Sequence, residues 1–297
     1  MKTSQSPCMI ALTAYHTAQK VFPNYRHRFS PKKFTQSQLF TCLVLKSFFK
    51  TDYRGIVEII SEHHNIWNIL ELHYLPHYTT LQKASKRLLN SKDSQRILNN
   101  LLKTIVQDTK LETKVSLIDS TGFESEQASK YYVFRRNNNS PDIMPLFYKR
   151  YPKLSLASLP YSMFILTSFV TQGPSTDMPY FKRIFKKLIN VIPTNTIIAD
   201  AGYDKEANHI LAHQHSIESI IPCRSFRKDR PPKSEHRLGM LRDFPKDRYG
   251  IRWHVETVMS MLKRNLGEKV YSHTFWSQSR EIMLKVITHD VAIVVLG

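Results

Sequence analysis

Two aspartates in this sequence close matching short apolar runs. Asp119 ends Val115-Ser116-Leu117-Ile118 and Asp200 ends Thr196-Ile197-Ile198-Ala199, and each is followed within two residues by Gly, Ser or Thr. Acids at the carboxyl ends of buried strands emerge into the crevice where open α/β sheets bind ligands. Either one alone equally suits a turn or a helix cap, for which Asp is favoured. A third acid, Glu256, lies between Arg252 and Lys263. At about 100° per residue these three side chains fall on one helical face, while Val255, Met259 and Leu262 lie mostly on the other side. That face taken alone is an ordinary solvated stripe with an i, i+4 ion pair. Its meaning rests on the two strand aspartates.

Three carboxylates converging at a sheet edge repel one another in an apolar setting, so the arrangement requires cations between them. Hard divalent ions meet that need. Mg²⁺ takes oxygen ligands, and two such ions about 3.5–4 Å apart activate an attacking hydroxyl and steady the leaving oxygen in phosphodiester displacement. The rest of the composition supplies a partner for such chemistry. With 43 Lys+Arg against 24 Asp+Glu, the chain carries a formal charge of +19, which selects a polyanion as its first expected partner.

The elements that must position these residues can be read from periodicity. Thr35 caps a helix bearing Leu39, Leu43, Val44 and Phe48; Tyr53 to His63 repeats the pattern; Thr79 and Gln82 form a capping box before Leu81 and Leu88; and Ser91 precedes the i, i+4 stripe of Ile97, Leu101 and Ile105. Residues 1–112 are therefore expected as an all-α N-terminal domain. From 113 to 297 the period changes. Strand-like runs at 114–118, 153–157 and 161–171 come first, then a helix at 178–189, a strand at 196–199, a helix at 205–214 and a strand at 217–221. Helical spacing returns at 253–264 and 278–296. That order is an α/β fold, a mixed sheet flanked by helices.

Several classes are excluded. With 41% hydrophobic residues and 8 Gly among 297 residues, the chain is neither low-complexity nor collagenous. Cys8, Cys42 and Cys223 are too scattered for a disulfide framework or a cysteine zinc site, which favours a reducing cytoplasm. The apolar runs 163–170 and 291–296 are too short to span a bilayer, and Met9 to Leu12 is too short for a signal-peptide core. A cytoplasmic protein that does not engage membranes is expected.

The spacing of Tyr249, Arg252, Glu256 and Lys263 resembles the signature of bacterial insertion-sequence DDE transposases, whose acid is the last of an Asp, Asp, Glu triad. The segments Leu117-Ile118-Asp119-Ser120-Thr121 and Ile198-Ala199-Asp200-Ala201-Gly202-Tyr203-Asp204 resemble that family's other two blocks. Segments 72–88 and 173–177 also look like family features, so the likeness covers roughly residues 30 to 295. It implies a ribonuclease H-like catalytic core that binds the ends of a mobile element, cleaves DNA there and joins the freed 3′-hydroxyl to target DNA. In that picture Asp119, Asp200 and Glu256 are catalytic and hold two Mg²⁺ ions, for which Mn²⁺ can substitute. Arg252 and Lys263 contact DNA phosphates beside them, with Tyr249 positioned near them as part of the DNA-binding set, and two copies assemble on paired ends in the bacterial cytoplasm, associated with the nucleoid. Only 55 residues separate Asp200 from Glu256, too few for the large β-stranded insertion of some relatives.

Aromatics interleave with cations in two stretches, 130–136 and 147–151. Rings suit unstacked bases and guanidinium groups suit phosphates, so Arg135 and Arg136 are expected to contact a DNA end; the alternative is a surface loop whose aromatics cover the sheet. The segment from Arg224 to Arg248, with nine Lys or Arg against four acids, reads as a phosphate-binding flap or as a solvated connection. The presence of all three acids favours a catalytic transposase. The alternatives are a non-catalytic DNA-binding derivative and a simple nuclease on the same core.

Overall fold

In the computed structural model, which describes residues 6–108, 113–125, 151–224 and 232–296, the apolar stripes of the first hundred residues become helices α1 (Pro7–Val21), α2 (Gln36–Phe48), α3 (Tyr53–Glu62), α4 (His64–Ile69), α5 (Tyr78–Leu88) and α6 (Ser91–Asp108). Thr35 closes a reciprocal capping box with Gln38, its backbone N–H donating to Gln38 Oε1 at 2.7 Å and its Oγ1 accepting from Gln38 N at 3.2 Å. The box expected at Thr79 does not form. Helix α5 starts earlier, at Tyr78, with His77 Nδ1 accepting from Thr79 N. Helix α1 was not anticipated, although Pro at its first turn and buried Ile10, Ala14 and Ala18 at i, i+4 spacing account for it.

The second half is built on strands β1 (Val115–Gly122), β2 (Glu124–Ser125), β3 (Tyr151–Ser158), β4 (Ile165–Gly173), β5 (Thr196–Ala199), β6 (Glu218–Ile220) and β7 (Lys269–Val270). Five of them form a mixed sheet in the order β4-β3-β1-β5-β6. Strand β3 is antiparallel to both neighbours, and β1, β5 and β6 run parallel. This is the ribonuclease H-like arrangement that the resemblance implied. Strands β2 and β7 pair separately. Around the sheet lie α7 (Phe181–Ile189), α8 (Glu206–His213), α9 (Glu235–Arg242), α10 (Lys246–Gly250), α11 (Trp253–Leu266) and α12 (Phe275–Leu296). Part of the basic stretch read as a flap or connection is thus helical, as α9 and α10; its residues 225–231 lie outside the described residues.

Helix α12 ties the two halves together. It packs on α1, α2 and α6 as well as on β4 and α11, with Ile282, Val286, Ile287 and Val291 fully buried. Each such side chain contributes roughly 1.5–3 kcal/mol relative to exposure. Two buried polar residues fix its register: Asp290 Oδ1 accepts from Ile165 N at 3.0 Å, and His289 Nε2 donates to Met163 O at 2.9 Å. A lysine closes the preceding helix, Lys285 Nζ donating to Leu266 O and Gly267 O at the end of α11. Among the described residues no helix is long and apolar enough to cross a membrane.

Candidate active site

The parallel register of β1 on β5 ends at Ile118 opposite Ala199. The next positions are Asp119 and Asp200, which therefore stand side by side where this ladder ends, on chains about 4.8 Å apart. The two differ in one respect from the sequence reading. Asp200 does follow the last residue of its strand, but β1 continues through Asp119 to Gly122, paired on its other flank with β3. Each carboxylate uses one oxygen on the next backbone N–H: Asp119 Oδ1 accepts from Ser120 N, and Asp200 Oδ1 from Ala201 N, both at 2.7 Å. Asp200 thereby caps a single 3₁₀ turn, Ala201–Tyr203.

Arg252 enters from the start of α11, which packs on β1. Its Nη1 lies 3.1 Å from Asp119 Oδ2, while Nη2 donates to Glu256 Oε1, one helical turn on. One guanidinium thus joins the first-strand acid to the helix acid. Arg252 and Asp119 are largely enclosed, at 19% and 16% side-chain exposure, whereas Glu256 is 56% exposed. Tyr249, on α10, holds its ring 5.7 Å from the guanidinium carbon and packs edge-on against Phe244. Lys263 is set apart. It is two turns along α11, about 10 Å from Glu256 by helical rise, with its Nζ 6.0 Å from the Phe123 ring centre. Arg135 and Arg136 lie outside the described residues.

A fourth acid, not singled out from the sequence, joins the group. Asp177, after β4, accepts from Ser120 Oγ at 2.5 Å and pairs with Lys153 Nζ at 2.7 Å. Asp177 Oδ2 and Asp200 Oδ2 lie 3.5 Å and 3.6 Å from the point where a Cβ on Gly202 would stand. The signal for this network was Lys153, the one charged residue of its strand and only 8% exposed.

The electrostatics record the crowding. Burial pushes the Asp119 carboxyl up to about 6; Ser120 N–H and Arg252 oppose this, while the negative charges of Asp200 and Asp177 add to it. Burial works against the charge of Arg252, but Tyr249, Asp119, Glu256 and Asp200 together raise it above the ordinary guanidinium value. The Tyr203 hydroxyl, fully buried beside these acids, is raised by burial first and then by Asp177 and Asp119. The described acids Asp119, Asp177, Asp200 and Glu256 face two cations, Lys153 and Arg252, which leaves negative charge in excess. An all-oxygen donor set with uncompensated charge fits a hard divalent cation. Among the described residues, no three His, Cys, Asp or Glu side chains stand together closely enough to hold one ion as they are. Glu256 is turned to Arg252.

Comparison with known proteins adds to this geometry. The family model described as "Transposase DDE domain" matches residues 110–290, more than half of the chain and all three expected acids. No curated protein matches the sequence. Among solved structures, the chain is similar to a piggyBac transposase in a cryo-electron microscopy synaptic complex with hairpin DNA. The identity is 9% and the TM-score 0.47, over 99% of this chain and 75% of that chain.

Proposed function

The chain belongs to the transposase DDE domain family, and from that premise we propose that it binds the ends of an insertion sequence, cleaves DNA there by metal-dependent phosphodiester hydrolysis and joins the 3′-hydroxyl to target DNA. The observation that carries this reading is the meeting of Asp119, Arg252 and Glu256 beside Asp200. Arg252 and Asp119, 133 positions apart in the chain, are in contact, and the second acid directly follows the last residue of the adjoining strand.

In this reading Asp119, Asp200 and Glu256 hold the divalent ions, Mg²⁺ or Mn²⁺. Such ions, when bound, lower the pKa of the attacking water and neutralise charge on the leaving oxygen. The chain's own groups do the rest. Asp119 and Asp200 are pinned by Ser120 N and Ala201 N, so their second oxygens are pre-oriented, that of Asp119 toward Arg252. Lys153 and Ser120 hold Asp177 against the same centre. Arg252, held between two carboxylates, can exchange one of them for a phosphate oxygen, since its fork matches either. Tyr249 keeps the guanidinium in place, and Lys263 supplies a point charge for the backbone further along α11. Two copies act on paired ends, residues 1–112 contribute DNA-end binding, and Arg135 and Arg136 contact the DNA end.

The test is nicking of supercoiled plasmid carrying the DNA that flanks the coding region, with Mg²⁺ or Mn²⁺. Asp119→Asn and Glu256→Gln should each lower cleavage by at least about 100-fold, since even outer-sphere changes at metal sites cost roughly 10–100-fold. Cleavage that survives both substitutions, or needs no metal, would overturn the assignment. Salt-sensitive duplex binding without any nicking by the wild type would leave a DNA-binding derivative.

A further inference from the structure

A cavity of about 1200 Å³ opens between the N-terminal helices α2, α3 and α5 and the later helices α11 and α12. It exceeds the roughly 300–1,000 Å³ typical of a small-molecule pocket. Its walls carry Lys46, Lys50, Lys86, Lys263, Arg264 and Arg280. The acids lining it are engaged or solvated. Asp52 caps α3, accepting from Arg54 N at 3.0 Å and Gly55 N at 2.7 Å. Glu281 accepts from Tyr271 N, Ser272 N and Ser272 Oγ at 3.2, 3.1 and 2.8 Å. Glu268 is exposed. None of Lys50, Lys86, Lys263, Arg264 and Arg280 is ion-paired with a carboxylate among the described residues. Like charges concentrated between low-dielectric walls focus a positive potential into the cleft.

Two features select the anion. Lys263 and Arg264 sit on α11, the helix that carries Glu256, so the cleft continues the face of the acid centre. The helical rise of about 10 Å from Glu256 to Lys263 spans roughly three phosphates at 3.4 Å per strand charge. Tyr271, 66% exposed, presents a ring at the same wall, and aromatic rings beside lysines suit nucleotides better than an acidic peptide. Lysines dominate, as expected where phosphates are held without reading bases.

We infer that this cavity seats the phosphodiester backbone of the DNA leading away from the bond to be cut, gripped from one side by α2 and α5 and from the other by α11 and α12. The inference rests on the DNA-cleaving reading above and names where its substrate runs.

The experiment uses the full chain and a mixed-sequence labelled duplex, titrated over a range of salt. Lys50→Glu/Lys86→Glu is compared with Lys182→Glu/Lys186→Glu on α7, which removes equal charge from exposed positions that do not line the cavity. The cavity pair should weaken binding at least tenfold and flatten the plot of log affinity against log salt by about 1.8, from about 0.9 per phosphate contact. The α7 pair should change the slope little, and Lys50→Arg/Lys86→Arg should bind as the wild type. Thermal melts by circular dichroism verify folding, and Lys50→Gln/Lys86→Gln, with about half the expected charge change, serves if the Glu pair does not fold. Equal effects of the two Glu pairs would overturn the assignment, as would a polyglutamate peptide that loses binding in the cavity pair while DNA does not. Wild type that nicks plasmid while the cavity pair keeps the full salt slope would sink this inference alone. Wild type that neither binds nor nicks DNA would remove the reading beneath it.

Discussion

Arg252 is the residue on which the acid centre depends for charge balance. Its two terminal nitrogens divide between Asp119 and Glu256, and without it the Asp119 carboxylate faces Asp200 and Asp177 with little solvent. Arg252→Ala is expected to destabilise the fold by about 1–3 kcal/mol, less than the 3–5 kcal/mol of a fully buried pair because water still reaches Glu256. Urea unfolding should show a lower midpoint at constant slope. Arg252→Lys should recover only part of the loss, since one ammonium cannot span two carboxylates. A midpoint equal to the wild type in Arg252→Ala would remove this role. At this scale the sequence was informative where spacing was local, as in the helical face of Arg252 and Glu256, and where two strand ends repeated one pattern. Asp177 was harder to find, because its place is set by a lysine 24 residues away on a neighbouring strand and no local periodicity encodes that pairing.

Among the elements, α12 shows how burial reshapes titration. Burial drives the Asp290 carboxyl well above its usual range, with Ile165 N–H opposing, and one of its oxygens has no hydrogen-bond partner. A folded-state value raised above the unfolded one means stability that is complete below about pH 4 and is lost as pH rises toward the folded value. Asp290→Asn cannot ionise and so should gain stability relative to wild type on going from pH 4 to pH 7, measured as the difference in unfolding free energy at the two pH values. An unchanged difference would mean that Asp290 is ionised in the fold. Most elements were legible because their periods are strong, notably α2, α6, β5 and α11. The misses have physical causes. Strand β1 outlasts its apolar run because β3 supplies hydrogen bonds through the polar residues Ser120 and Thr121, and α5 begins at Tyr78 because an imidazole replaces the expected hydroxyl as its cap.

For the molecule as a whole, apolar packing crosses the boundary expected near residue 112. The buried side chains of α1, α2 and α6 share one continuous core with β4 and α12. Ile287→Ala, at the centre of α12, should therefore cost about 2–5 kcal/mol. Far-UV circular dichroism and tryptophan fluorescence should follow one coincident transition in both wild type and variant, and two separated transitions would show independent halves. The net charge of +19 pointed to a polyanion without indicating where it lies. The cavity that collects lysines from α2, α5 and α11 depends on tertiary packing, which composition does not encode.

Strand β5 ends at Ala199, while its neighbour runs on to Gly122. From Asp119 onward β1 therefore has a hydrogen-bonded strand on one flank only, and the other flank is met by the turn that starts at Asp200. Residues inserted before Asp200 in register would carry that acid past Asp119 along the sheet, parting the pair while leaving each carboxylate chemically intact.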